Sequence, residues 1–166
     1  MTDQNMSSDS VPVASPLFLR EDEVRRGIEL VYFGHADLLK EADETLRSSH
    51  LGRAHHRALY FIARRPGLSM GELVGLLSVT KQALSRVIGD LTARELIRVE
   101  PGQRDRRQRL ITLTDEGLRL EHELFELLRQ RMARAYAEAG QDAVTGFWRV
   151  LAELLPDDRR AEILAL

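Results

Sequence analysis

Residues 78–114 read SVTKQALSRVIGDLTARELIRVEPGQRDRRQRLITLT, and the reading of this stretch decides the rest. Thr80 has the hydroxyl of a helix N-cap, and Leu84, Val87, Ile88 and Leu91 follow at i, i+3, i+4 and i+7, the spacing of one buried helical stripe. The opposite face carries Lys81, Gln82, Ser85, Arg86 and Gly89, which are hydrogen-bonding or small residues. No bulky apolar group on it would block approach to base edges in the major groove of duplex DNA. Gln suits adenine and Arg suits guanine as bidentate partners, each worth about 1–3 kcal/mol of discrimination when well placed. An ordinary solvated helix face has the same composition, so the helix alone leaves both readings open.

Beyond Leu96 the period changes from helical to alternating, with Ile97 and Val99 facing one way and Arg98 and Glu100 the other. Pro101-Gly102 starts a turn, a loop runs to about Arg107, and residues 110–114 return as a β-branched strand. The expectation is a β-hairpin with a basic tip, the wing of a winged helix-turn-helix. Arginines at such a tip are drawn to the negative potential of a narrow minor groove. Asp105, two residues before Arg107, is expected to hold that guanidinium by a charge-assisted hydrogen bond. A run of arginines can also merely keep an exposed loop soluble.

Charge distribution favours the nucleic-acid reading. Residues 78–114 hold eight basic and four acidic side chains, +4, in a chain of net charge −2, so the remainder carries −6. A chain that is acidic overall and gathers its positive charge in one segment presents a polyanion with a defined footprint. All nine aromatic residues lie outside residues 66–117, so the basic segment offers no stacking platform of the kind that single-strand and RNA modules use.

With 166 residues, 43% of them hydrophobic and 30% charged, the chain is long enough for one domain with its own core. There is no cysteine, which excludes disulfides, thiol nucleophiles and Cys-ligated zinc. No apolar run approaches the roughly 20 residues that span a bilayer, and the N-terminus lacks the pattern of a secretion signal; no membrane association and a cytoplasmic location are expected. Phosphate-cradling glycine motifs and HExxH are missing, and the serines have no evident base partner, so neither an enzyme nor a cofactor is expected.

Residues 1–19 are expected to form a disordered arm, since the opening residues are rich in Ser, Asp and Pro. Residues 20–50 hold a helix, with Val24, Ile28, Val31, Leu38, Leu39 and Leu46 on a recurring face and two costly interior glycines, Gly27 and Gly34. A second helix follows, its buried side made by Ala58, Leu59, Ile62 and Phe61, and Pro66-Gly67 ends it. Ser69 and Glu72 have the spacing of a capping box that opens a third helix through Leu73, Leu76 and Leu77. With the turn at Ser78-Val79 this completes the helix-turn-helix, and residues 51–114 are taken as the DNA-binding domain.

Thr114 then caps a long helix over residues 115–139, on which Leu118, Phe125, Met132 and Ala139 lie seven apart. At about 1.5 Å per residue it would be roughly 37 Å long, more than a small DNA-reading core can cover. An amphipathic helix through Val144, Phe147, Trp148, Leu151, Leu154 and Leu155 follows, and the tail ends in Ile163, Leu164 and Leu166. Residues 20–50 and 115–166 are therefore expected to supply the two halves of a dimer interface. The fold class is mainly α with a small β-hairpin, a winged helix-turn-helix with N- and C-terminal dimerisation helices.

The segments LSMGELVGLLSVTKQALSRVIGDLTARELI and RDRRQRLITLTDEG resemble the MarR family of winged helix-turn-helix regulators over residues 21–155. Asp105, Arg106 and Arg107 leading into LITLTDEG are similar to that family's wing signature, and GRAHHR with TKQAL resembles its LdtR/PetP-like branch. The resemblance implies a homodimer on a pseudo-palindromic operator, most often a repressor, controlled by a small phenolic or aromatic molecule. Carried over residue by residue, it puts Gln82, Ser85 and Arg86 at base-reading positions and Asp105 and Arg107 at the wing pair. The full expected DNA-binding set is Thr80, Lys81, Gln82, Ser85, Arg86, Arg104, Asp105, Arg106 and Arg107. One departure is Glu95, where family members usually have Gly at the end of the recognition helix.

A ligand cleft mixes aromatic walls with a few polar groups, which points to Tyr32, Phe33, His35, His55, His56 and Leu59. Such residues belong to a core more often than to a cleft. His55 and His56 are adjacent and so diverge by about 100° on a helix, with no companion ligand pattern, and no metal is expected. Next to Arg53 and Arg57 they also allow a phosphate contact or an interhelical hydrogen bond. The competing functional reading is a ligand-independent DNA-binding protein with an architectural or recruiting role.

Overall fold

The computed structural model describes residues 14–102 and 106–166. Its elements run α1 (Glu21–Ser48), α2 (Arg53–Arg64), β1 (Leu68–Ser69), α3 (Met70–Leu77), α4 (Lys81–Ala93), β2 (Ile97–Pro101), β3 (Arg109–Leu113), α5 (Asp115–Ala139), α6 (Gln141–Glu153) and α7 (Asp157–Leu164). The chain divides into two units, one ending at Asp37 and the other beginning at Leu38, within α1.

The described residues of the first unit form the leading part of α1 and the turn before it. Its apolar residues Val24, Ile28, Val31, Tyr32 and Phe33 are all exposed. Among the described residues, a Cβ added at Gly27 or Gly34 would meet no atom within 4 Å, so no close neighbour among them accounts for either glycine.

The second unit contains the core. Leu46, Leu59, Ile62, Leu73, Leu84, Leu91, Ile111 and Leu124 are its largest fully buried side chains. They come from α1, α2, α3, α4, β3 and α5, and each contributes about 1.5–3 kcal/mol by leaving water. The stripe Leu84, Ile88 and Leu91 is buried, with Val87 partly so, which fixes which way α4 faces.

Capping matches the sequence pattern. Thr80 Oγ1 accepts from the Ala83 amide at 3.2 Å to open α4. At α3, Ser69 Oγ accepts from the Glu72 amide at 3.3 Å, while the Ser69 amide donates to Glu72 Oε2 at 2.8 Å. The hydrogen bond from the Ser69 hydroxyl, and then that from its amide, hold the Glu72 carboxyl below its usual range.

Three helices in this unit end in the same device. The Leu51 amide donates to Leu46 O and His50 to Arg47 O; Val79 donates to Val74 O and Ser78 to Gly75 O; Leu96 donates to Leu91 O and Glu95 to Thr92 O. Each is a Schellman closure with a left-handed residue in the position that glycine favours. Here the residues are His50 at φ 53°, Ser78 at φ 53° and Glu95 at φ 58°. Glu95 therefore adopts the left-handed cap where the family usually has Gly.

The sheet has order β1-β3-β2, all antiparallel. The expected hairpin is present, and it pairs Ile97 with Leu113 and Pro101 with Arg109. β1 and α7 are additions to the expected elements. Strand β1 is two residues long and pairs Leu68 with Ile111, too short to show a period in the sequence. Helix α7 stands where the sequence reading gives only an apolar tail.

Candidate nucleic-acid interface

The burial of Leu84, Ile88 and Leu91 turns the rest of α4 outward. Thr80, Lys81, Gln82, Ser85, Arg86 and Gly89 are all exposed, and an added Cβ at Gly89 would meet nothing within 4 Å. These are the groups the sequence singles out on this helix, and the fold gathers them on one open face.

The wing lies directly after α4. Arg98, Arg106, Arg107 and Arg109 are exposed on it. Arg104 and Asp105 lie outside the described residues, and so does the expected bond between Asp105 and Arg107. The hairpin is closed by the Gly102 amide, which donates to Gln108 O at 2.8 Å.

Helix α2 holds α4 from behind. His55 Nδ1 accepts from the Gly52 amide at 3.1 Å, which leaves the proton of the neutral ring on Nε2. That Nε2–H faces Asp90 Oδ2 on α4 at 3.2 Å. Of the roles the sequence leaves open for His55, the interhelical hydrogen bond is the one formed. Arg53 grips Asp43 on α1 with a two-pronged contact, 2.7 Å at its shortest. His56 is 5% exposed and stands in the field of Asp43. Burial pushes its imidazole below the ordinary 6.5, and the Asp43 carboxylate opposes this as the smaller effect.

The ligand candidates are distributed unevenly. In the first unit, Tyr32 and Phe33 are 71% and 70% exposed and His35 is exposed. In the second, Leu59 is fully buried in the core and His56 almost so. A cavity of about 50 Å³ lies between α2 and the helix-turn-helix, lined by Ala54, Arg57, Leu77, Val79, Ala83, Leu84 and Val87. Ligand sites usually measure about 300–1,000 Å³, so it has room for water and not for an aromatic acid. Among the described residues no group of three His, Asp or Glu could hold a metal ion, and no helix is long and apolar enough to cross a membrane.

Three contacts on the helix-turn-helix escape sequence reasoning altogether. Arg57 Nη2 donates to Leu77 O at 3.0 Å, and Arg159 on α7 donates to Leu76 O at 3.0 Å and to Ser78 Oγ. Their partners are backbone carbonyls and a turn hydroxyl, for which residue spacing carries no signal.

A capped recognition helix with an open polar face, followed by a basic hairpin, defines a winged helix-turn-helix transcription regulator. Residues 51–108 match the model of the MarR family. The HTH-type transcriptional regulator PetP of Rhodobacter capsulatus is 43% identical over 139 residues, covering 84% of each chain. This chain belongs to the MarR family. Two solved structures share the fold. A mutant MarR from E. coli complexed with operator DNA is 23% identical, with TM-score 0.63, covering 86% of this chain and all of that one. BpsR of Bordetella bronchiseptica, described with the regulation of its DNA binding by 6-hydroxynicotinic acid, is 22% identical, with TM-score 0.62, covering 80% of this chain and 98% of that one.

Proposed function

We propose that the chain acts as a homodimeric repressor on a pseudo-palindromic operator, with Gln82, Ser85 and Arg86 reading bases in the major groove. Thr80 and Lys81 approach the adjoining phosphates. Arg104, Arg106 and Arg107 enter the neighbouring minor groove, with Asp105 orienting the wing. The observation that carries this reading is the outward polar face of α4, fixed by the burial of Leu84, Ile88 and Leu91 on its other side. Two such helices would enter successive major grooves about 34–36 Å apart, which demands a two-fold operator.

Support for the dimer comes from apolar side chains left uncovered in each unit. In the first they are Val24, Ile28, Tyr32 and Phe33; in the second, Leu118, Phe125, Trp148, Val150 and Leu154. Residues 20–50 and 115–166 are accordingly assigned as the dimerisation segments, and residues 51–114 as the DNA-binding domain.

Control by a small phenolic or aromatic effector is supported, within the first unit, by the exposed aromatic surface of Tyr32 and Phe33 with the exposed His35 close in sequence and, within the second, by the half-buried His55. Neither Leu59 nor His56 supports it, because the core closes over both. Their burial favours a second reading, DNA binding with no effector, in an architectural or recruiting role.

Sequencing the fragments that the purified protein retains from genomic DNA tests the first reading. A shared motif with two-fold symmetry is expected, and retention with no common motif would overturn the operator. A thermal-shift series with hydroxybenzoates and related phenols separates the two readings, since a ligand that binds only the folded state raises Tm. No shift across the series would leave the effector-free role.

A further inference from the structure

The last four carbonyls of a helix have no partner inside it. In α3 these belong to Val74, Gly75, Leu76 and Leu77. The turn itself closes two of them, since Val74 O accepts from the Val79 amide at 3.4 Å and Gly75 O from the Ser78 amide at 3.2 Å. The other two are closed from outside. Leu77 O accepts from Arg57 on α2, and Leu76 O accepts from Arg159 on α7. Two guanidinium groups thus meet the negative end of the α3 dipole, where cations are favoured.

Arg159 makes a second contact on the same spot. Its other terminal nitrogen donates to Ser78 Oγ, the hydroxyl of the left-handed residue between α3 and α4. Two residues further on, Thr80 caps α4. Any rotation about the Ser78 backbone would swing the whole of α4, so a charged fork pinned to both Leu76 O and Ser78 Oγ resists that rotation. The rest of α7 is anchored nearby. Arg64 on α2 donates to Leu166 O, Arg65 pairs with Glu162 at 3.5 Å, and the Leu166 side chain packs against the core.

We propose that α7 straps the helix-turn-helix, with Arg159 as a positioning residue that fixes the angle at which α4 meets its groove. The C-terminal segment then serves DNA reading as well as assembly. This assignment rests on the reading that α4 recognises duplex DNA, and the test keeps the two apart.

The experiment compares wild type, Arg159→Ala and Arg159→Lys on two duplexes, one selected on the wild-type protein from a random-sequence pool and one unselected. Amide exchange at Ser78 and Val79 is followed in the same proteins. For Arg159→Ala, faster exchange at both amides and about three- to tenfold weaker binding of the selected duplex are expected, since a charge-assisted contact is lost. Affinity for the unselected duplex and the salt slope should stay put, because no phosphate contact is removed. Arg159→Lys, which keeps the charge and can satisfy only part of the fork, should fall between. In a Ser78→Ala background, Arg159→Ala should cost less than in wild type, because the pair no longer exists to be broken.

Unchanged exchange with unchanged affinity would overturn the strap. Equal loss on both duplexes with a salt slope lower by about one would overturn it too, by making Arg159 a phosphate contact. If wild type bound no duplex, the DNA-reading assignment would fall, and exchange at Ser78 and Val79 would still decide whether Arg159 holds the turn.

Discussion

A first side-chain carbon on Gly117 would stand 2.0 Å from the carbonyl oxygen of Leu96. The approach follows from how α5 begins. The Thr114 amide donates to Leu96 O at 3.0 Å, and Thr114 Oγ1 donates to Glu95 O at 2.7 Å while accepting from the Gly117 amide at 3.0 Å. One threonine therefore ties the start of α5 to the end of the recognition helix, and the space between admits no Cβ. Because the blocking atom is backbone, no side-chain shift can relieve it. Gly117→Ala should cost about 3 kcal/mol, a fall in Tm of roughly 6–12 °C for a chain of this length. A melting curve within about 2 °C of wild type would show that the two backbones separate more easily than this packing implies.

Glu95 carries the opposite prediction. Its φ of 58° is strained for a residue with a Cβ, and no hydrogen bond of its side chain offsets this among the described contacts. Replacing it by glycine removes the clash and adds freedom to the unfolded chain, and the first effect should win. Glu95→Gly is expected to stabilise by a few tenths to about 1 kcal/mol, read from urea midpoints at constant m. A destabilised variant would mean that the carboxylate contributes to the fold in a way its backbone geometry does not reveal.

How much of this is legible in the sequence depends on the range of the interaction. The stripe Leu84, Ile88 and Leu91, the caps at Ser69 and Thr80 and the alternation of Ile97 and Val99 are local, and each has a period or a fixed offset that can be read directly. The resemblance to the family adds the odd residue at Glu95, whose left-handed backbone then follows from position. What stays hidden is long-range. Arg159 meets Ser78 across 81 residues, and His55 meets Asp90 across 35. Neither pairing leaves a pattern along the chain, because a hydrogen bond between packed elements constrains two side chains and nothing between them. Leu59 and His56 show the reverse limit, since apolar and polar neighbours on one helix suit a core more often than a cleft, and only packing decides which they form.

Two arginines should divide the work of binding DNA. Arg86 projects from the open face of α4, whereas Arg107 lies on the exposed wing. Arg86→Ala is expected to relax base preference at one operator position, at a cost of about 1–3 kcal/mol on the preferred duplex. Arg107→Ala should weaken all duplexes alike and lower the salt slope by about one. Titrations of specific and random duplexes at several salt concentrations separate the two, and identical behaviour of both variants would abolish the division.

Val150 and Leu154, 62% and 68% exposed and one turn apart on α6 and its C-cap, test the dimer without touching the core. Changing both to Glu should give folded monomers in sedimentation, with helical content retained. A dimer of undiminished stability would place the subunit contact elsewhere.

His56 makes stability depend on pH. Burial lowers its pKa from 6.5, so the folded state prefers the neutral ring more strongly than the unfolded chain does. As pH falls below about 6.5 the unfolded state takes up the proton first, and stability declines until the folded pKa is passed; above about 6.5 this contribution is complete and flat. Asp43, the carboxylate nearest in effect, moderates the shift without reversing it. The urea midpoint of wild type should therefore drop between about pH 7.5 and 5, and His56→Leu should drop measurably less over the same interval. Other titrating groups add their own slope to both proteins, so the quantity that matters is the difference between the two curves. A difference of zero would show that burial does not disfavour the charged ring, and one reversed in sign would mean that the imidazole is stabilised as a cation in the folded state and contributes most in acid.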